Sequence, residues 1–290
     1  MPLREPEICV ELIAPRVARQ KYLKDLKGGR LEPVLTALTR AVSPTIGDCE
    51  LTYLIRQAID FDKAEKQHRM YEQCLKEIGL NVVSLDAEAA YPDAVFVEDA
   101  AVVVDELAVM TNMGSDKRRR ETESLVSTLS HYRRLDFLKE PAALDGGDVL
   151  RIGRTLYAGL SKRTNEEGIA QLREILKPYG YEVKSAEVKG CLHLKTGCTF
   201  IGKNTILANP SWVDTNQFRD FEILEVSATE PWAANSLLIR DMILFPIGFP
   251  QTTEMLRERG FSLKLVDISE LMKAEAGLTC MSLIFESHGH

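Results

Sequence analysis

Cys280 and His193 are the two residues of this chain whose contexts suit a nucleophile and its proton carrier. Cys280 lies in Leu-Thr-Cys-Met-Ser-Leu-Ile-Phe, at the start of a strand-like run. Taken alone it reads as a small buried hydrophobe, because free cysteine packs well in cores. His193 stands between Leu192 and Leu194, an alternation that predicts an extended segment with the ring facing away from both leucines. Of the five histidines, His288 and His290 fall at the C-terminus, while His68 and His131 read as helix-surface or helix-end residues. His193 is therefore the candidate general acid and base near neutral pH. Cysteine, histidine and a carboxylate together make an activated nucleophile, the acid orienting the imidazole. Asp145, in Leu-Asp-Gly-Gly-Asp-Val-Leu, suits the third role, since its two glycines let backbone approach a site closely. By itself that motif is a plain turn.

A second group of residues points to the charge of a substrate. Glu98 and Asp99 end the apolar run Ala-Val-Phe-Val-Glu-Asp, and Asp93 precedes Glu98 by five residues. Acidic residues beside strongly apolar sequence are costly unless paired. A cationic substrate offsets that cost, and a planar guanidinium does so with matched bidentate geometry. A metal is the rival explanation, but one plausible histidine and no ligand spacing speak against it, and no cofactor is expected. Arg118 and Arg163 are candidates for an anionic substrate group, although each read singly is a solvated surface charge.

Composition narrows the class of function. The 290 residues carry 36 Lys plus Arg against 43 Asp plus Glu, a formal net charge of −7, and 45% are hydrophobic. That acidity gives no electrostatic reason to expect nucleic acid or an anionic membrane as partner. The longest apolar run, 242–249, is interrupted by Pro246 and Gly248, well short of the about 18 residues that a membrane helix needs. Six cysteines in this length make no disulfide framework, and residues 1–40 contain no signal-peptide core. Dinucleotide, P-loop, zinc-protease and CxxC motifs are absent from the sequence. The expectation is a cytoplasmic protein acting on a small molecule, with a homodimer left open.

The elements that must position these residues recur along the chain. Paired strands are predicted at 94–110, 144–160, 192–209, 236–245 and 279–285. Starts taken at Val95, Leu144, Leu192, Ser236 and Thr279 are 49, 48, 44 and 43 residues apart. Each except the last is followed by a polar periodic stretch and then a further short strand, as where 117–132, 165–179 and 253–259 lead to 134–138, 182–188 and 262–266. The last hairpin has one strand only, and a strand at 36–42, a helix at 63–78 and a strand at 81–85 complete it from the other end of the chain. Five strand–strand–helix–strand modules closed into a ring are predicted, because such modules bury their apolar faces only against neighbours. An open α/β sheet of irregular order is the alternative. Residues 1–33 fall outside the period and read as an N-terminal extension to a single domain over 34–290. The inner hairpin ends would then converge with Asp93, Glu98, Asp99, Asp145, His193, Asn235 and Cys280.

With these residues in place, the chain resembles the dimethylarginine dimethylaminohydrolases, guanidine-modifying enzymes with a five-bladed α/β-propeller fold. The resemblance rests on Pro92-Asp93-Ala94-Val95-Phe96-Val97-Glu98-Asp99, Arg118-Arg119, Asp145-Gly146-Gly147-Asp148, residues 159–165, Leu192-His193-Leu194-Lys195-Thr196-Gly197, Ala234-Asn235 and Thr279-Cys280-Met281-Ser282-Leu283, in family order from about 36 to 286. It implies that Cys280 is the nucleophile, His193 the proton carrier and Asp145 its orienting acid. It further implies that Glu98 and Asp99 hold the guanidinium, Asp93 the α-ammonium, and Arg118 and Arg163 the α-carboxylate. Backbone carbonyls near Leu51 and Ala274 would also receive the ammonium. The implied reaction converts asymmetric dimethylarginine or monomethylarginine to citrulline and dimethylamine or methylamine, through a covalent thiouronium on cysteine and without a cofactor.

Departures from the family pattern bear on substrate choice. Arginine deiminases, the nearest rivals on this scaffold, carry an acidic residue two positions after the histidine, where this chain has Lys195, as the dimethylargininases do. The family's Thr-Arg-Pro-Gly reads Thr111-Asn112-Met113-Gly114, its Asp-Gly-Gly before the nucleophile reads Glu275-Ala276-Gly277, and Ser236 follows Asn235 where many relatives have cysteine. An arginine deiminase and a catalytically silent amino-acid- or protein-binding homologue are the alternatives.

Overall fold

A computed structural model describes residues 33–287, and the expected N-terminal extension lies outside them except for Pro33. The described chain forms five three-stranded sheets, each built from an antiparallel pair and a third strand added in parallel. The second module has β3 (Ala101–Val103) and β4 (Leu107–Met110), then α2 (Glu123–Leu129) and β5 (Arg134–Phe137). The third has β6 (Val149–Ile152), β7 (Thr155–Leu160), α3 (Glu166–Leu176) and β8 (Glu182–Glu187). The fourth has β9 (Cys198–Gly202), β10 (Thr205–Ala208) and β11 (Glu222–Glu225), preceded by the one-turn α4 (Leu194–Gly197). The fifth has β12 (Leu237–Ile239), β13 (Met242–Pro246), α5 (Pro250–Glu258) and β14 (Ser262–Val266), followed by α6 (Ser269–Met272). In the first, β1 (Val34–Arg40), α1 (Phe61–Glu77) and β2 (Asn81–Leu85) are joined by the last strand, β15 (Leu283–Ser287). β15 pairs antiparallel with β1, Val34 opposite Ser287 and Leu38 opposite Leu283, which closes the ring with the two ends of the described chain.

Local sequence explains these elements. Asp60 caps α1 by accepting the Lys63 N–H at 3.0 Å, and Ala64, Tyr71 and Leu75 form its buried stripe. Asn165 caps α3 in the same way, accepting the Gly168 N–H at 2.8 Å ahead of Glu166 and Glu167. The β9–β10 hairpin turns through Lys203 and Asn204, both at positive φ (48° and 58°), a conformation that matches the twist of a tight hairpin. The expected strand–strand–helix–strand form is corrected in the fourth module: the other four cross through a helix, whereas this one passes from β10 to β11 through a single 3-10 turn, Thr215–Phe218, whose Phe218 is buried.

Five apolar clusters fill the seams between modules. Tyr71 and Leu75 meet Leu244 and Val266 between the first and fifth modules, and Leu38 and Phe285 meet Met110 and Leu125 between the first and second. Val109 meets Leu172 and Val183, Tyr157 meets Ile206 and Phe218, and Leu207 meets Phe245 and Leu256 at the remaining three. Each cluster needs two modules, which is why the unit is a ring rather than separate small sheets. The innermost strands line an axial cavity of about 360 Å³, with Val102, Leu150, Phe200, Leu238 and Ile284 each contributed by a different module.

Candidate active site

The expected chemical residues lie in or beside five single helical turns, one ahead of each innermost strand: Val97–Ala100, Gly146–Asp148, α4, Pro231–Ala234 and Thr279–Met281. Turns pack against one another around the axis, and Asn235, directly after the fourth, ties it to the third and the fifth. Its Nδ2 donates to the Lys195 carbonyl at 2.9 Å and to Thr279 Oγ1 at 3.0 Å, and its Oδ1 accepts the Thr279 N–H at 3.2 Å. The expectation that 192–194 and 279–281 are strand is corrected here. His193 is extended only as the N-cap residue of α4, and Cys280 sits inside a 3-10 turn. Three alternating residues fit the last extended residue before a turn as well as they fit a strand, and β9 and β15 begin only at Cys198 and Leu283.

His193 is buried, and its Nε2 lies 3.0 Å from Asp145 Oδ2. Its Nδ1 lies 3.8 Å from Asp99 Oδ1. Asp145 is fully buried, and its other oxygen accepts the Gly114 N–H at 2.9 Å. Burial works against a charged imidazole, but Asp99, the bond to Asp145 and the nearby Asp148 outweigh it and raise His193 to about 9. Burial likewise opposes ionisation of Asp99, while His193 and Arg118 hold its carboxyl below the ordinary range. A glycine is required beside this group: a Cβ on Gly147 would stand 2.6 Å from His193 Nδ1 and 2.7 Å from Asp99 Oδ1. Asp148 supports the same turn from behind, accepting the Leu194 N–H at 2.9 Å and hydroxyls from Ser161 and Thr164 at 2.6 and 2.7 Å.

Cys280 is partly exposed and accepts the Gly277 N–H at 3.3 Å on its sulfur. Burial of the sulfur and the carboxylates of Glu98 and Asp99 push its thiol up to about 12. Glu98 is occupied on both oxygens, by Lys195 Nζ at 2.6 Å and by the Thr279 hydroxyl at 2.8 Å. Burial raises the Glu98 carboxyl even though Lys195 pulls it back down. Lys195 thus adds a positive charge beside the carboxylates rather than a further negative one.

Both arginines are buried and already face carboxylates. Arg118 Nη1 bonds Asp99 at 2.8 Å, and its Nε and Nη2 reach Glu121 at 3.1 and 3.0 Å. Arg163 Nη2 lies 3.4 Å from Glu50, Nη1 lies 4.0 Å from Asp145, and Nη1 has no hydrogen-bond partner. Asp93 receives the Glu50 N–H at 3.0 Å, and burial raises its carboxyl despite Arg118. Glu275, held at a left-handed φ of 59°, accepts the N–H groups of Thr52, Tyr53 and Leu54 on its carboxylate. That bond set brings Leu51 into one cluster with Ala274 and Cys280.

These bonds and contacts link the residues expected from sequence to one another and to the five turns. Asp148, Glu121, Glu50 and Glu275 were not singled out as site residues. Asp148 and Glu275 stand inside motifs already noted, whereas Glu50 finds Arg163 113 residues away and leaves no local signal. The Asn112 and Met113 departures point away from the site: Asn112 donates to the Ala142 carbonyl at 2.6 Å and Met113 is fully buried. Asp99, Asp145 and His193 are the one group among the described residues whose ligand atoms, within 4.8 Å of one another, have the spacing of a metal site.

Comparison with known proteins identifies the family and the fold. The family described as N,N dimethylarginine dimethylhydrolase, eukaryotic, matches residues 53–230. The chain is 33% identical over 228 residues to N(G),N(G)-dimethylarginine dimethylaminohydrolase of Pseudomonas aeruginosa, covering 78% of this chain and 90% of that protein. It is 34% identical over 252 residues to the protein of that name from Streptomyces coelicolor, covering 87% and 97%. A solved structure of the Pseudomonas aeruginosa protein, a cysteine-to-serine mutant complexed with citrulline, superimposes with a TM-score of 0.83 at 31% identity, over 87% of this chain and all of that one. The N-terminal domain of the cyanobacterial arginine dihydrolase ArgZ shares the fold, with a TM-score of 0.74 at 20% identity.

Proposed function

Because this chain belongs to the dimethylarginine dimethylaminohydrolase family, and so to hydrolases of amidine carbon–nitrogen bonds, we propose that it converts asymmetric dimethylarginine and monomethylarginine to citrulline and the methylated amine. The observation that carries this reading is the buried His193, bonded to Asp145 at 3.0 Å within a ring of turns that also holds Cys280 and Asp99.

Burial and the neighbouring carboxylates of Glu98 and Asp99 keep Cys280 a thiol before substrate binds. A guanidinium held by Asp99, with Glu98 behind it, brings the positive charge that stabilises the thiolate, and the thiol proton leaves to solvent. The thiolate attacks the guanidinium carbon. The tetrahedral adduct collapses as His193 donates its proton to the departing dimethylamine, leaving a thiouronium on Cys280. His193 then takes a proton from water, whose oxygen adds to the same carbon. Collapse to the ureido group expels the sulfur and releases the remaining hydroxyl proton, which restores the thiol. Arg163, with its unpartnered Nη1, and Arg118 take the α-carboxylate. Asp93 and the carbonyls of Leu51 and Ala274 take the α-ammonium. The Lys195–Glu98 pair limits the negative charge around the guanidinium, which favours methylated over unsubstituted nitrogen.

This reading takes 34–290 as one catalytic domain and 1–33 as an extension, and a small-molecule substrate met in the cytoplasm. No helix of the described residues is long and apolar enough to cross a membrane. Purified protein given asymmetric dimethylarginine and arginine separately tests it. Dimethylamine and citrulline in equal amounts from the first are expected. Ammonia from arginine alone would move the activity to arginine deimination.

A further inference from the structure

The axial cavity of about 360 Å³ begins at the back of the five turns and runs along the inner strands. Chain neighbours of the site residues make its floor: Glu98 beside Asp99, Gly146 beside Asp145, Ser236 beside Asn235, Thr279 beside Cys280, and Lys195 two positions after His193. The wall above them is hydrocarbon, one side chain from each module: Val102, Leu150, Phe200, Leu238 and Ile284. Val103 and Arg151, both partly exposed, mark the outer end. Residues 149–151 alone span about 10 Å at the strand rise of about 3.3 Å per residue. Most polar groups of the lining are engaged. Glu98 is taken up by Lys195 and Thr279, Thr199 donates to the Ala234 carbonyl at 2.7 Å, Ser282 bonds Tyr71 at 2.7 Å, and Arg151 pairs with Asp105 at 2.8 Å. Lys195 differs. Its ammonium has three N–H donors, Glu98 takes one, and none of the described residues accepts the other two.

We propose that the axial cavity binds a monocarboxylate with a medium-length alkyl chain, its carboxylate on Lys195 and its chain along the five apolar side chains. A carboxylate satisfies the remaining donors of Lys195 with charge-assisted hydrogen bonds, and the chain leaves water for a wall of hydrocarbon. Glu98 opposes a second negative charge only weakly, because burial raises its carboxyl toward the neutral form. Occupancy reaches the active site through the floor, a consequence that rests on the function proposed above, whereas the binding itself does not. The bound anion draws Lys195 from Glu98 and adds negative charge behind Cys280, whose thiol Glu98 and Asp99 already hold up. The thiolate then forms less readily while a cationic substrate binds no worse, so kcat falls and KM does not rise.

Equilibrium dialysis of radiolabelled octanoate against the full-length protein tests the site, and citrulline formation from asymmetric dimethylarginine, with and without octanoate, tests the coupling. Octanoate should bind saturably, and n-octylamine, of opposite charge, far more weakly. Leu238→Trp fills the cavity and should weaken octanoate binding by about tenfold or more, as a single methylene does in an apolar pocket, with activity in the absence of octanoate unchanged. Val102→Trp fills the same space from another module should Leu238→Trp not fold. At saturating octanoate kcat should fall by about fivefold or more, the low end of ordinary coupling between sites. No binding to the unaltered protein, equal binding by the folded variants, or preference for the amine would overturn the site. Octanoate that raises KM alone would put it in the substrate's own place and overturn the site as well, and binding with kcat unchanged would overturn the coupling. Dialysis reads binding whether or not dimethylarginine is hydrolysed, so failure of the proposed activity is distinguished from failure of this site.

Discussion

His193 is held between two carboxylates, and its protonation state follows from them. Asp99 and Asp145 keep the imidazole protonated up to about 9, which suits its first task as a proton donor. The free-enzyme profile of kcat/KM should therefore fall above about pH 9, as His193 loses its proton. Asp145→Asn removes one of the charges that raise it, so the falling limb should shift to lower pH and kcat should drop about 10²–10⁴-fold. A profile unmoved by that substitution would contradict the assignment of Asp145. The thiol of Cys280, held up to about 12, should react with iodoacetamide at pH 7 more slowly than an ordinary cysteine at about 8.5. Alkylation rates followed by mass spectrometry read this directly. At this scale much was legible, because a chain with one well-placed histidine leaves little choice of acid–base group. What was hidden is pairing across the fold, as when Lys195 occupies Glu98 from 97 positions away.

Short turns, rather than the strands behind them, carry the chemistry. Hydrophobic patterning located the hairpin ends within two residues, and β2 and β14 match the expected bounds, but the expected hairpin starts at 94, 144, 192 and 279 fall four to seven residues before the strands begin. It could not separate an inner turn from the strand it leads into, since a buried turn and a buried strand are both apolar over four residues. The glycines were the clearer signal. Gly147 leaves room for His193 and Asp99 where any Cβ would collide, so Gly147→Ala should displace the imidazole. The expected result is a loss of kcat of about 10²-fold or more with KM changed much less, and with a near-native far-ultraviolet spectrum. A fall confined to KM would assign the turn to binding instead. Glu275→Ala should act differently, since it frees three N–H groups of 52–54 and leaves its effect mainly in KM.

The ring is the unit that folds, and its closure was readable from the unequal ends of the repeat: one strand too few at 279–290, and one strand, helix and strand too many near the start. β15 both completes the first sheet and buries Leu283 and Phe285 against Leu38 and Met110. Burying each such side chain is worth about 1.5–3 kcal/mol, and the ladder to β1 is lost with them, against a total stability of about 5–15 kcal/mol. A chain ending before Leu283 should therefore lose its cooperative thermal transition, and a sharp transition near the full-length value would contradict ring closure as the source of stability. The crossing helix expected in the fourth module does not form, and only the packing of Phe218 reveals how a 3-10 turn fills the gap between β10 and β11.

The most direct test of the account is acid-quenched mass spectrometry of the protein caught turning over asymmetric dimethylarginine. The account predicts a transient mass increase equal to substrate minus dimethylamine, mapped to the peptide containing Cys280 and absent from Cys280→Ser. Turnover to citrulline with no adduct on Cys280, or full activity in the serine variant, would contradict it.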